Sequence, residues 1–281
     1  MGDGLKHPLI SALAANRRTP KPLPVPHVRD CPTNLAEAYD LQDVLHREIE
    51  EADGGKICGY KIGCTSKVMQ EYLGINSPCA GGVFDKTVFE NEGVFSHRSF
   101  SRPGVECEIA VRLGKDIEAI DAPHSRDSVS EAVESCMASI EIVDDRYEDF
   151  SKFTAETLVI DDFFDAGCVL GEPVADWRSL DLTTLKGCLR INGEEVSGGI
   201  GADILGHPLD ALVWFANARA SRNMGIEAGT FVTLGSVVKT HWVEPNDRVE
   251  IEFDGLGKVQ ADFPGLALVD DSMDTAQDDQ Q

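Results

Sequence analysis

Glu106 and Glu108 lie in the run Arg-Pro-Gly-Val-Glu-Cys-Glu-Ile-Ala-Val at 102–111. The stretch from Val105 to Leu113 has the composition of a strand, where side chains two apart share a face. The two carboxylates are therefore held side by side, roughly 7 Å apart along the chain, while Val105, Cys107 and Ile109 take the other face. Anions fixed that close repel, and solvent, a basic partner or a cation must compensate them. A hard divalent metal is one such partner. A second run, Ser-Ile-Glu-Ile-Val-Asp-Asp-Arg at 139–146, places Glu141 among apolar residues. A carboxylate there is costly unless it is paired or bound to a cation. Glu141, Val143 and Asp145 share one strand face, and Ile142 and Asp144 the other. Three glutamates without an accompanying His or Cys ligand pattern favour Mg²⁺ or Mn²⁺ over Zn²⁺. The competing reading of Glu106 and Glu108 is a solvent-facing strand.

Two further segments could act on a ligand. Lys61 sits in the apolar, glycine-bounded run Gly59 to Gly63. A lysine buried there can have a lowered pKa and serve as acid, base or anion clamp; otherwise it is a solvated strand lysine. The run Val232 to Ser236 ends in Gly-Ser, which leaves backbone N–H groups and a hydroxyl free for a carboxylate, or forms a plain turn. Other patterns fail. In the glycine-rich segment 198–206, counting from Gly199, the third glycine of a dinucleotide loop falls on Ile204. There is no Walker loop, no HExxH and no GxSxG. The histidines are scattered, and His207 reads as a turn residue ahead of a helix.

These residues must be positioned by mixed elements. After a short helix near Leu9 to Ala15, the segment 19–26 is extended by its prolines. Asn34 is an N-cap with Glu37 as its capping-box partner, opening a helix that ends at Gly54 and Gly55. Short strands follow at 56–62, 82–84, 87–89, 105–113, 137–143, 168–170, 188–191, 231–234, 249–253 and 258–263. The Ile191-Asn192-Gly193 tripeptide marks a tight hairpin. Helices at 128–136 and 209–224 interrupt the strands; Leu212, Val213, Phe215, Ala216 and Ala220 form the apolar face of the second. Strands at irregular intervals with few helices predict an antiparallel-rich α+β roll rather than a doubly wound sheet. The reading divides the chain into an N-terminal helical portion (1–56), a metal-binding β-roll catalytic domain (57–267) and an acidic disordered tail (268–281).

The net charge of −24 argues against nucleic acid and anionic membrane surfaces as partners. No apolar run approaches the roughly 18 residues of a membrane helix. The N-terminus lacks a secretory apolar core, and Lys6 stands where a myristoylation signal needs Ser or Thr. A cytoplasmic location is expected. The eight cysteines show no CxxC spacing, several lie in apolar runs, and they read as free thiols.

The order and spacing of several motifs resemble the fumarylacetoacetate hydrolase superfamily, in its 2-keto-4-pentenoate hydratase / 4-oxalocrotonate decarboxylase branch. The likeness spans Ala38 to Phe263. It rests on Ala-Tyr-Asp-Leu-Gln at 38, Gly-Tyr-Lys-Ile-Gly at 59, Gly-Val-Glu-Cys-Glu-Ile-Ala at 104, Ile-Glu-Ile-Val-Asp-Asp-Arg at 140, Gly-Ala-Asp-Ile-Leu-Gly-His-Pro-Leu at 201 and Leu-Gly-Ser at 234. The resemblance implies a mixed β-roll behind an N-terminal helical portion, assembled as a homo-oligomer. It implies one Mg²⁺ or Mn²⁺ held by Glu106, Glu108 and Glu141, binding the 1-carboxylate and 2-oxygen of a small 2-keto acid. Lys61 and Asp162 take catalytic positions, and Gly63 and Ser236 take substrate-binding ones. The implied reaction is hydration of a 2-hydroxy-2,4-dienoate to a 4-hydroxy-2-oxo acid, as in aromatic-compound catabolism. The alternatives are decarboxylation or hydrolysis of a 2-oxo diacid or acylpyruvate at the same metal, or a catalytically lapsed member. Two departures bear on that choice. Cys79, in Pro-Cys-Ala-Gly at 78–81, stands where the hydratases carry Asp. In the run 161–167, Asp162 keeps the family acid while Phe163 replaces Asn and Phe164 replaces a small residue.

Overall fold

The computed structural model describes residues 7–265; the tail read as acidic and disordered, 268–281, lies outside the described residues. In chain order the helices are α1 Pro8–Asn16, α2 Leu35–Glu51, α3 Lys67–Leu73, α4 Arg126–Ala132, α5 Ala155–Ile160 and α6 Pro208–Ser221. The strands are β1 Ile57–Gly63, β2 Cys79–Phe84, β3 Val88–Glu90, β4 Glu92–Val94, β5 Pro103–Leu113, β6 Val133–Asp144, β7 Asp165–Leu170, β8 Lys186–Ile191, β9 Glu194–Ile200, β10 Phe231–Ser236, β11 His241–Trp242, β12 Arg248–Phe253 and β13 Gly257–Asp262. They form two mixed sheets. The larger runs β2-β1-β10-β5-β6-β7-β3, with β11 on β5; the smaller runs β4-β13-β12-β8-β9.

Strand alternation sorts the larger sheet's residues. Val105, Cys107, Ile109 and Val111 of β5, with Ile140 and Ile142 of β6, pack against Val249, Ile251, Phe253 and Val259 of the smaller sheet. Helix α6 adds Leu209, Leu212 and Phe215 to the same core. The other face of the larger sheet lies inside a curl that brings β2 against β7. Val83, Ala110, Met137, Cys168, Leu170 and Phe231 fill part of that interior. The remainder of the curl holds the carboxylates. Helices α1 and α2 form a separate apolar cluster with Cys64, Cys79, Phe84 and residues 153–163.

The α+β reading holds, with boundary differences that have physical causes. The helix read over 128–136 ends at Ala132, and Val133 already belongs to β6. Val129, Ala132, Val133 and Cys136 recur at helical spacing, yet β5 supplies hydrogen-bonding partners for the second half, pairing Arg112 with Ser135; tertiary pairing overrides the local period. Helices α3 and α5 and strand β9 carry too few apolar repeats to be read from sequence. The hairpin at Asn192 and Gly193 forms as read, both residues having positive φ. The glycine-rich segment 198–206 ends β9 and turns into α6. A Cβ on Gly201 would lie 1.8 Å from the Leu182 carbonyl oxygen, so this glycine serves close packing. All eight cysteines are free, five of them buried. No helix among the described residues is long and apolar enough to cross a membrane.

Asn34 caps α2 as read, its side chain accepting from the Glu37 N–H at 3.0 Å. Glu37 reaches back one residue further than a capping box requires, to the N–H and hydroxyl of Thr33. Asn34→Ala should lower the unfolding free energy by about 1 kcal/mol. In urea this would appear as a reduced midpoint at unchanged slope; an unchanged midpoint would remove the cap from the account.

Candidate metal and 2-oxo-acid site

Antiparallel register, rather than sequence spacing, assembles the acidic cluster. On neighbouring strands β5 and β6, Glu106 lies opposite Glu141 and Glu108 opposite Ser139. One carboxylate oxygen from each of Glu106, Glu108 and Glu141 lies within 4.8 Å of the others. Glu108 and Glu141 are each only 1% exposed. Glu108 Oε2 accepts the Gly235 N–H at 3.0 Å, and the Thr240 hydroxyl donates to Glu106. Glu108 Oε1 and Glu141 Oε2 are buried without a hydrogen-bond partner.

Without a cation this arrangement is electrostatically unfavourable. Burial, then the neighbouring Glu141, pushes Glu106 up to about 7, against the pull of Lys61 and Thr240. Burial, followed by Glu141 and Glu106, holds Glu108 well above the usual carboxylate range. Orphaned carboxylate oxygens converging on one point are a donor set suited to a hard divalent cation. The residues present therefore fit such an ion.

Lys61, 3% exposed, projects from β1 into the same interior. Its Nζ lies 2.8 Å from Glu141 Oε1 and donates to the Phe163 carbonyl at 3.1 Å. Burial alone would depress its pKa, as the sequence suggested. Glu141, Glu106 and Glu108 reverse that and raise it above the ordinary lysine value. Gly63 is next on the same strand face: a Cβ there would stand 3.3 Å from Lys61 Nζ and 3.7 Å from the Phe163 ring. Ser236 pairs with Glu108 in register. Its hydroxyl donates to the Cys107 carbonyl and accepts from the Val238 N–H, both at 3.3 Å. The Gly235 contact depends on a φ of +111° and on a missing side chain, since a Cβ would lie 2.2 Å from Thr65 Oγ1.

Asp162 is the predicted catalytic residue that the structure does not bring to Lys61. Its Oδ1 takes the Gly82 N–H at 2.8 Å and His46 Nε2 at 2.6 Å, and its Oδ2 takes Arg17 Nη2 at 2.8 Å. Burial would raise its pKa, but His46 and Arg17 lower it overall. The physical reason is backbone geometry: residues 162 to 164 all have positive φ. That turn presents the next residue's carbonyl to the lysine while the Asp162 carboxylate joins the Arg17–His46 group. Sequence reasoning also missed Thr240 and Gly235 as partners of the glutamates. Gly235 lies in the singled-out run 232–236; Thr240 carries no local signal.

Residues 85–263 match the model of the fumarylacetoacetate hydrolase C-terminal family. The chain belongs to this family. A curated relative, the 4-oxalocrotonate decarboxylase of Pseudomonas putida, is 34% identical over 82% of this chain and 85% of its own length. The 2-keto-4-pentenoate hydratase of Paraburkholderia xenovorans (strain LB400) is 33% identical over 82% and 84%. Among solved structures, 4-oxalocrotonate decarboxylase from Pseudomonas putida G7 superimposes with a TM-score of 0.85 at 29% identity, covering 94% of this chain and 98% of that one. The α+β roll read from the sequence is the fold of this family.

Glu108→Ala should weaken Mn²⁺ binding, measured by calorimetry, by more than about 100-fold, the upper range for outer-shell partners of metal ligands. The metal-free variant should melt no lower than the parent, because a buried uncompensated acid has been removed. Retained Mn²⁺ affinity would place the ion elsewhere. Asp165, which is outside the glutamate trio but feels Glu141, gives a pH test. Burial, with Glu141 next, pushes it up to about 8 from a usual value of 3.8. A raised acid favours the folded state while protonated: its contribution is complete below about pH 4 and is lost as pH rises through about 8. Metal-free Asp165→Asn should therefore show a flatter melting temperature across that window than the parent. An equally steep decline in the variant would refute the assignment.

Proposed function

We propose that the protein is a divalent-metal-dependent hydro-lyase that adds water to a 2-hydroxy-2,4-dienoate, giving a 4-hydroxy-2-oxo acid. The observation that carries this reading is the convergence of Glu106, Glu108 and Glu141, with unpartnered buried oxygens, beside Lys61. Relatives named 2-keto-4-pentenoate hydratase support the reaction. The decarboxylase structure complexed with magnesium and adipate supports Mg²⁺ as the ion, with Mn²⁺ of the same hard class. Held by the three glutamates, the ion would supply a Lewis acid for the 1-carboxylate and 2-oxygen of the substrate.

The chain's own residues would do the rest. Hydration requires a proton at C5, the hydroxyl of water at C4 and a proton at C3, while the 2-hydroxyl gives up its proton to become the 2-oxo group. Lys61 is the proton-handling group in this reading: its ammonium has three donors, two directed at Glu141 and the Phe163 carbonyl, leaving one for substrate. Gly63 keeps space open beside that nitrogen. Ser236, next to Gly235 at the Glu108 end, is the proposed contact to the substrate carboxylate. Asp162 contributes without touching substrate. The Phe163 ring, 5.6 Å from Lys61 Nζ, clusters with buried Cys64 and Cys79 and gives the lysine an apolar surround. That wall suits an uncharged vinyl tail.

Decarboxylation of a 2-oxo diacid is the second reading, favoured by the 34% identity and the close superposition with 4-oxalocrotonate decarboxylases. The two separate in one assay. Protein with Mg²⁺ should consume 2-hydroxypenta-2,4-dienoate, followed by diene absorbance, and EDTA should stop it. Carbon dioxide release from 4-oxalocrotonate without diene hydration would establish the second reading instead, and neither reaction would remove both. Lys61→Ala should lower kcat by about 100-fold or more, the range of a positioned acid–base group, with Mn²⁺ affinity little changed. An unaltered rate would leave Lys61 a structural residue.

A further inference from the structure

Lys61 leans on a backbone carbonyl that the chain holds in an unfavourable conformation. Asp162, Phe163 and Phe164 have φ of 52°, 51° and 72° in succession. Residues with a side chain rarely occupy that region, and three in a row persist only where surrounding contacts enforce them. The contacts here are polar and come largely from the N-terminal part of the chain. Arg17, just past α1, places Nη2 2.8 Å from Asp162 Oδ2 and 3.0 Å from Asp161 Oδ1. His46, on α2, lies 2.6 Å from Asp162 Oδ1, which also accepts the Gly82 N–H from β2. Asp161 is secured on its other oxygen by Arg146 and Tyr147 at 3.0 and 2.9 Å. Both aspartates are fully buried.

We propose that Arg17 and His46 are positioning residues for Lys61, acting through the Asp162 carboxylate and the Phe163 carbonyl. The proposal rests on the assignment of Lys61 as the proton-handling group. Without Arg17 or His46, the buried Asp162 carboxylate loses compensation and the left-handed turn loses its anchor. The Phe163 carbonyl then withdraws, and the ammonium keeps only Glu141 as a fixed partner. The glutamates do not contact Arg17 or His46 by hydrogen bond or ion pair, so metal binding stays separate from this effect. The N-terminal helical portion thereby belongs to the active site although it supplies no metal ligand.

The test compares Arg17→Gln, His46→Gln and the conservative Arg17→Lys in the Mn²⁺-loaded enzyme. Both glutamine variants should lose kcat for dienoate hydration by about 10- to 100-fold, the scale of a displaced catalytic group. KM and Mn²⁺ affinity should stay near parent values, and Arg17→Lys should recover most of the rate. His46→Gln removes one of three contacts on Asp162, so it gives the reading if Arg17→Gln does not fold. Crystal structures of the variants report independently of turnover: Phe163 should leave the left-handed region and its carbonyl should separate from Lys61 Nζ. If the parent hydrates nothing, the functional reading fails while the structures still judge the clamp. An intact Lys61–Phe163 contact in a folded variant, or a kcat loss matched by equal loss of Mn²⁺ affinity, would overturn the proposal.

Discussion

Three carboxylates on one side of one sheet, two of them buried and Glu106 half-buried, are the constraint around which the site is arranged. Mutual repulsion and loss of water both oppose ionisation of Glu106 and Glu108. The protein supplies part of the compensation itself, through Lys61 on Glu141, the Gly235 N–H on Glu108 and the Thr240 hydroxyl on Glu106. Two oxygens are left without any partner. A hard cation would fill that residual deficit, which sets the cluster apart from the neighbouring Asp161–Asp162 group, whose carboxylate oxygens are all bonded.

A second charged group lies next to the first and is satisfied differently. Asp161 and Asp162 are buried, and Arg17, Arg146, His46 and Tyr147 all bind them. Breaking a buried pair by removing one partner is costly because a lone charge remains. This network can therefore hold a strained turn, whereas the glutamate cluster lacks the partners to do so. The two groups meet at Lys61, which binds Glu141 of one and the carbonyl following Asp162 of the other.

The sheet architecture explains how acids and apolar packing coexist. Strand alternation sends Cys107 and Ile109 into the core between the sheets while Glu106 and Glu108 turn into the curl. The interior of that curl is itself divided between an apolar cluster around Met137 and Phe231 and the carboxylates. Apolar walls make uncompensated charge more costly and a bound cation correspondingly more effective.

Local periodicity and composition were enough to single out the acids and the lysine as candidates and to place most of the strands. The two-residue spacing of Glu106 and Glu108 fixes their common face whatever the rest of the chain does, because strand side chains alternate. An acid inside the apolar run around Glu141 similarly announced a need for compensation, and motif order carried the family resemblance. Tertiary structure decided everything that depends on register or on approach from distant segments. The pairing of Glu106 with Glu141, the capture of Glu106 by Thr240, and the reversal of Lys61's expected pKa all arise between strands remote in sequence. The same is true of Asp162: its place in the motif matched a catalytic acid, and the fold gives its carboxylate Arg17 just past α1, His46 on α2 and the Gly82 N–H as partners. Backbone handedness at non-glycine residues is imposed by surrounding contacts, and no local propensity encodes it.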